Sequence, residues 1–341
     1  MASGYRKSGQ VPKQIRHGKL YFKCLVKNEK RMKMAKPPKV LVLLDGSQRS
    51  LMTVDYISRM LMFHGNQIVL YHVFSGIPES YRDLGKEPAN VHGSEELKTW
   101  GKEKRYSMDT YMKHARKRLI DAGFDESAVE VKIHDREQGV ARDILQEAEK
   151  DYDAIVLRRR GMTELEGLSM GSVASKLLAK IIFLPIQVAG RKEPNNRILI
   201  GVDGSEAAAQ AVDYVAAQIG SYDYAVGLIH VIRGFGKSMP DYPDLDMGPV
   251  SLEMAEKHMH EHFKGLREKL LSAGVKSENI TQKIVTGAYS RSGAIVMEAE
   301  FGDYSTIAVG RRGHSKVQDF AMGRVCQKVV QVGRYHTVWI I

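Results

Sequence analysis

Cysteine is almost absent from this chain: Cys24 and Cys326 are the only two in 341 residues. They cannot make a disulfide framework, and a reducing, cytoplasmic setting is the expectation. Long apolar runs are missing too, since none approaches the roughly 20 residues that cross a bilayer. No signal peptide is legible, because Leu20, Tyr21 and Phe22 are hemmed in by Lys19 and Lys23. Acidic residues are scarce in one place only. Across residues 1–38 Glu29 stands alone against eleven lysines and arginines, which accounts for +10 of the net charge of +11. The remainder is nearly neutral, with 40 basic against 39 acidic residues. The sequence pI of about 9.4 therefore describes a leading tail and not a basic face on the fold. That tail shows no sustained period and reads as disordered; nucleic acid or an anionic surface would be gripped through it by charge alone. Met32 and Met34, just before Ala35, offer alternative starts. Also lacking are a Ser/His/Asp order, paired carboxylates and a cysteine cluster, so nothing argues for a hydrolase or transferase beyond slow turnover.

What is present begins at Lys39. Residues 40–44 form an apolar run of strand length, followed by Asp45, Gly46 and Ser47. A helical stripe through Leu51, Val54, Ile57 and Leu61 comes next, then a second buried strand at 67–73. The pattern predicts a long charged helix over 95–122, a strand at 129–133, a helix at 140–150, a strand at 152–157, a helix at 173–179 and a strand at 183–188. Strands alternating with helices imply right-handed crossovers and a mostly parallel sheet covered on both faces.

The series then repeats. Asp45, Gly46, Ser47, Val54 and Tyr56 recur as Asp203, Gly204, Ser205, Val212 and Tyr214, displaced by 158. His72 and Val73 recur as His230 and Val231 at the same displacement. Further on the displacement is 152: Arg159 and Gly161 match Arg311 and Gly313, and Gly171, Val173 and Lys176 match Gly323, Val325 and Lys328. Two copies, 39–190 and 197–341, are therefore expected behind the tail.

In each copy the first strand ends in Asp-Gly-Ser and the fourth runs into a long glycine loop that opens a helix. Such a loop offers backbone N–H groups, and the helix N-terminus adds a partial positive charge, a combination that suits phosphate. Where strand order reverses, these two segments would meet in the ligand crevice of an open α/β sheet. Asp45 or Asp203 would then accept bonds from a ribose or base. Ser47 and Ser205 also read as helix N-caps, which needs no ligand. Arg158, Arg159 and Arg160, and likewise Arg311 and Arg312, abut the loops and are read as phosphate-neutralising. His72 and His230 read as hydrogen-bonded core histidines. His258 and His262 share an i, i+4 spacing, but the stretch reads as a solvated face.

These features resemble the universal stress protein family, and about 300 residues look like a tandem member. The resemblance implies two five-stranded parallel sheets of order 3-2-1-4-5 with helices on both faces, paired along their fifth strands as an intrachain pseudo-dimer. It also implies an adenine-nucleotide (ATP) ligand, with Mg or Mn as companion, and action as a regulatory binder. Adenine would lie by Asp45 and Val73, or by Asp203 and Val231, and phosphates on the loop. The family's ATP-binding pattern is Gly, two residues, Gly, nine residues, then Gly with Ser or Thr. Copy two has Gly310, Gly313 and Gly323, but Arg324 precedes Val325 where the hydroxyl residue belongs. Copy one has Gly161, Gly171 and Ser172 before Val173, but Arg158 stands where the first glycine belongs. A guanidinium at 324 can replace a hydroxyl contact, whereas bulk at 158 obstructs an approach, so the second site is expected to be the stronger. Rival readings are a scaffold that has lost nucleotide, and a nucleic-acid binder acting through the tail. A homodimer is a further expectation.

Overall fold

The computed structural model describes residues 37–76, 95–159, 170–220, 222–233, 249–313 and 321–341. The expectations for the tail, for Arg160 and for Gly161 fall outside the described residues. In the first half β1 (Lys39–Leu43), α1 (Gln48–Arg59), β2 (Gln67–Phe74), α2 (Glu95–Asp121), β3 (Val129–Asp135), α3 (Val140–Ala148), β4 (Ala154–Arg158), α4 (Ser172–Lys180) and β5 (Ile186–Ala189) follow in order. The second half repeats them as β6 (Arg197–Gly201), α5 (Glu206–Ile219), β7 (Ala225–Arg233), α6 (Pro249–Ser272), β8 (Ile280–Ala288), α7 (Arg291–Phe301), β9 (Thr306–Val309), α8 (Arg324–Val332) and β10 (Thr337–Ile340).

The strands are near-continuous apolar runs because both faces of the sheet are covered. In β1, Val40 and Val42 pack into the layer holding Leu51 and Val54 of α1 and Met112 of α2, while Leu41 packs with Ile144 of α3 and Leu177 of α4. The period-two alternation thus feeds two helical layers from one strand. All ten strands join in one sheet of order β3-β2-β1-β4-β5-β10-β9-β6-β7-β8. Each half is parallel in the order 3-2-1-4-5, and the halves meet where β10 runs antiparallel to β5, with Val338 opposite Val188 and Ile340 opposite Ile186. The apolar fifth strands, which would be aggregation-prone edges if left bare, cover one another.

The fifth strand is shorter than the sequence suggests. It starts at Ile186, not at 183. Pro185 has no N–H to give, although its carbonyl still accepts from Ile155 N at 3.0 Å. Phe183 lies before the ladder and is about half exposed.

Polar groups tie the seam as well. Trp339 Nε1 donates to the Tyr56 hydroxyl at 3.0 Å, and that hydroxyl donates to Gln187 Oε1 at 3.2 Å. Gln187 Nε2 reaches the Tyr214 hydroxyl at 3.4 Å. Tyr56 and Tyr214 are repeat equivalents, as are Gln187 and Trp339, so a pseudo-twofold relation places one tyrosine from each half against the central strand pair. The segment between the halves is also fixed: Asn195 N donates to Ser305 Oγ at 3.0 Å, and Lys192 pairs with Asp303 at 2.9 Å.

Candidate functional site

In both halves Asp-Gly-Ser forms the turn that leads from the first strand into the next helix. Asp45 Oδ1 accepts from Ser47 N at 3.0 Å and Ser47 Oγ at 2.7 Å; Asp203 Oδ1 accepts from Ser205 N at 3.0 Å and Ser205 Oγ at 2.5 Å. The glycines between have φ of +84° at Gly46 and +82° at Gly204, a region costly for any residue with a Cβ. Ser47 and Ser205 then cap α1 and α5, accepting from Ser50 N at 3.1 Å and Ala208 N at 3.3 Å. The capping reading of these serines is therefore what the structure shows.

The loop after the fourth strand is closed alike in both halves. Gly171 N donates to Arg159 O at 2.9 Å, and Gly323 N to Arg311 O at 2.8 Å. Gly171 and Gly323 are the N-caps of α4 and α8 and supply no capping side chain. Ser172 and Val173 open α4, and Arg324 and Val325 open α8, with Ser172 and Arg324 exposed. Strand order brings this loop beside the first-strand turn. A Cβ on Gly313 would overlap Asp203 Oδ2, so the loop and the first-strand turn approach each other closely here.

One expectation gains a second cause and another needs correction. Gly310 lines the cavity, and a Cβ there would also stand 2.7 Å from the backbone carbon and oxygen of Ala207, at the start of α5. Its counterpart Arg158 places Nη1 3.4 Å from Gly190 O and Nη2 3.2 Å from Met52 Sδ. Arg159 and Arg311 are not phosphate clamps. Arg159 Nη2 donates to Gly333 O at 3.2 Å and Arg311 Nη1 to Leu178 O at 3.0 Å. Each buried arginine caps the end of the last helix of the other half, a contact 174 and 133 residues away in sequence. Helix C-termini favour cations there. Burial, then Arg334 and Arg158, brings the Arg159 pKa down to about 10, and burial also lowers that of Arg311.

His72 is a buried histidine, whereas His230 is half-buried and lines the second-half cavity; their Nδ1 atoms donate to Leu44 O and Val202 O at 2.8 Å. Burial lowers both pKa values. His258 and His260 are exposed on α6, whereas His262 is half-buried with its Nε2 out of solvent, so only part of that stretch is the expected solvated face.

In the second half these elements enclose a cavity of about 500 Å³ at the C-terminal ends of β6, β7 and β9. Asp203, Val231, Gly310, Arg311, Gly313, Gly323, Arg324 and Val325 all line it, whereas Gly204 and Ser205, expected at the site, are not among its lining residues. Sequence reasoning missed Arg233, Ser290, Arg291 and Ser292, which line it from the β7 and β8 side. Among the described residues that line it, Asp203 is the one acidic group, against Arg233, Arg291, Arg312, Arg324 and Lys328 at the surface of the cavity. Such an excess of cations suits a multiply charged anion. The first half supplies Asp45, close enough to Arg158 for its charge to favour the protonated guanidinium, and Val73, buried at the end of β2. Met108 lies against Gly46 there.

Comparison with known proteins gives a consistent picture. The model of the universal stress protein family matches residues 37–181 and again 194–334. The chain is 23% identical over 296 residues to a universal stress protein of Mycolicibacterium smegmatis, covering 86% of this chain and 93% of that one. The crystal structure of a universal stress protein from Archaeoglobus fulgidus DSM 4304 superposes with a TM-score of 0.59 at 17% identity, over 89% of this chain and 97% of that one. A functionally unknown protein from Pseudomonas aeruginosa PAO1 gives a TM-score of 0.54 at 13% identity, over 92% and 94% of the two chains. At these identities the two structures speak for the fold.

Proposed function

Since this chain belongs to the universal stress protein family, twice over within one polypeptide, we propose that it is a regulatory adenine-nucleotide binder whose halves, 39–190 and 197–341, are unequal, with ATP held chiefly by the second. The observation that carries this reading is the contact of the Asp203 carboxylate with Gly313, which closes the first-strand turn onto the glycine loop beside a cavity of about 500 Å³. The base and ribose lie by Asp203 and Val231. The phosphates lie along Gly313, Gly323 and the open N-terminus of α8, neutralised by Arg312, Arg324 and Lys328.

Arg324 takes the place of a hydroxyl with a donor that binds phosphate bidentately. A triphosphate's Mg or Mn would be held chiefly by the phosphates, because among the described residues no group of three acidic, histidine or cysteine side chains gathers. Rapid hydrolysis is not expected, since Asp203 is engaged by Ser205 and His230 Nδ1 by Val202 O. Ligand occupancy would instead be read through the shared sheet and through α8, whose C-terminus meets Arg159 of the first half. The first half has Ser172 at the head of α4 but carries Arg158 in the Gly310 position, and binds more weakly.

Mass spectrometry of small molecules released from purified protein tests the proposal. An adenine nucleotide is the expected result; a clean apoprotein that also fails to take up ATP at millimolar concentration would leave the scaffold reading in its place.

A further inference from the structure

The two halves differ at the flank of the cavity away from the glycine loop. In the first half, Asp143 of α3 is buried and accepts from the backbone N–H groups of Glu137 and Gln138, at 3.0 and 2.9 Å. The chain thus neutralises its own turn before α3. The matching ion pairs Lys132–Glu147 and Lys283–Glu298 fix the correspondence of α3 with α7 at a displacement of 151. By that correspondence Ala294 stands where Asp143 would be, Arg291 stands for Val140, and Ser290 for Gly139. On the neighbouring strand Arg233 stands for Ser75.

The backbone differs as well. Pairing of β2 with β3 runs in regular register to Phe74, whereas that of β7 with β8 shifts between Val231 and Arg233. Such irregularities re-aim side chains at sheet ends. By the same correspondence Asp135, Glu137 and Asp143 have no acidic counterpart, and Arg136 and Arg142 give way to Gly287 and Gly293, so the cations are moved to Arg233 and Arg291 while the carboxylates go. Arg291 Nε donates to Val231 O at 3.3 Å, so the carbonyl at the base end is already occupied by a cation. Ser290 Oγ and Ser292 Oγ lie 2.9 Å apart beside it. Strand order β9-β6-β7-β8 puts this group on the opposite flank of Asp203 from Arg312, Arg324 and Lys328.

We infer that the second site has two separate anion subsites and takes a nucleotide carrying phosphate at two distant positions, one group on the glycine loop and the other on Arg233, Arg291 and the Ser290 and Ser292 hydroxyls. Arg233 lies close enough to Arg291 to oppose its charge, and Asp203 favours it, so a ligand phosphate placed there would add to the compensation that Asp203 gives. The inference rests on the nucleotide reading of the same cavity and narrows its ligand class.

The test compares ADP, with both phosphates at one end, and adenosine 3′,5′-bisphosphate, with one at each side of the ribose. Both are titrated calorimetrically into the full chain in metal-free buffer, in wild type and in the Arg233→Gln/Arg291→Gln double variant, whose altered side chains are exposed. The bisphosphate should bind at least about tenfold more tightly than ADP to wild type, and the ratio should fall to near one in the double variant. A ratio near one in wild type, with ADP binding, overturns the second subsite and leaves the nucleotide reading standing. A preference that survives the double substitution overturns the residue assignment, and binding of neither compound removes both.

Discussion

The hydroxyl of Tyr56 is the pivot of the seam, and its removal has a calculable effect. Tyr56→Phe keeps the ring, which is buried in the layer that holds Phe63 and Leu51, and deletes one oxygen. Two groups then lose their partner: Trp339 Nε1, at 3.0 Å, and Gln187 Oε1, at 3.2 Å, both in fully buried residues. A buried group left unsatisfied costs about 1–3 kcal/mol, so the pair should cost about 2–4 kcal/mol after local relaxation. Tyr214→Phe removes only the long 3.4 Å contact from Gln187 Nε2 and should cost about 1 kcal/mol or less. With an unfolding entropy of about 2.1 cal/mol/K per residue, a body of some 300 residues loses roughly 1.5 °C per kcal/mol. Tyr56→Phe should therefore lower Tm by about 3–6 °C and Tyr214→Phe by less than about 2 °C. Urea titration followed by circular dichroism gives the free energies, and one shared transition is expected because the sheet is continuous through the seam. Equal losses for the two variants would refute the assignment of the hydroxyl bonds.

Three other outcomes are expected. His336 is buried with neither ring nitrogen bonded, and burial, then Lys192 and Arg159, lowers its pKa to about 4. The unfolded chain binds that proton at higher pH, so stability is full above about pH 6.5 and falls by about 3 kcal/mol as pH drops towards 4; His336→Leu should flatten that limb in pH-dependent melts without loss at pH 7. Gly310→Ala puts a methyl against the Ala207 carbonyl and should cost about 1–3 kcal/mol in urea unfolding, a penalty absent were the glycine there only for a ligand. A chain beginning at Met34 should melt within a few degrees of the full chain and lose any affinity for nucleic acid; a larger drop in Tm would show that the basic tail packs on the body.

Much of this fold was legible because its signals are local or repeated. Apolar runs gave the strands, Ser47 and Ser205 the helix starts, and the family resemblance implied the pairing of the halves along their fifth strands. What stayed hidden depends on partners far along the chain. Arg159 and Arg311 sit next to glycine loops in sequence, yet their guanidiniums reach the opposite half. Tyr56 and Tyr214 stood out only as repeat markers, and nothing local says that one meets Trp339, 283 residues away. Gly310 matches a ligand-binding pattern while answering to the backbone of α5. Arg233 and Arg291 belong to no motif, and only their divergence from Ser75 and Val140 could have flagged them.

The central claim is that nucleotide binds, and binds chiefly through the loop that meets Asp203. Calorimetric titration of ATP into wild type, Gly313→Val, Gly161→Val and Arg324→Ala tests it most directly. One dominant site is predicted in wild type, lost in Gly313→Val, weakened several-fold in Arg324→Ala and retained in Gly161→Val. Undiminished binding in Gly313→Val, or loss through Gly161→Val alone, would contradict the account.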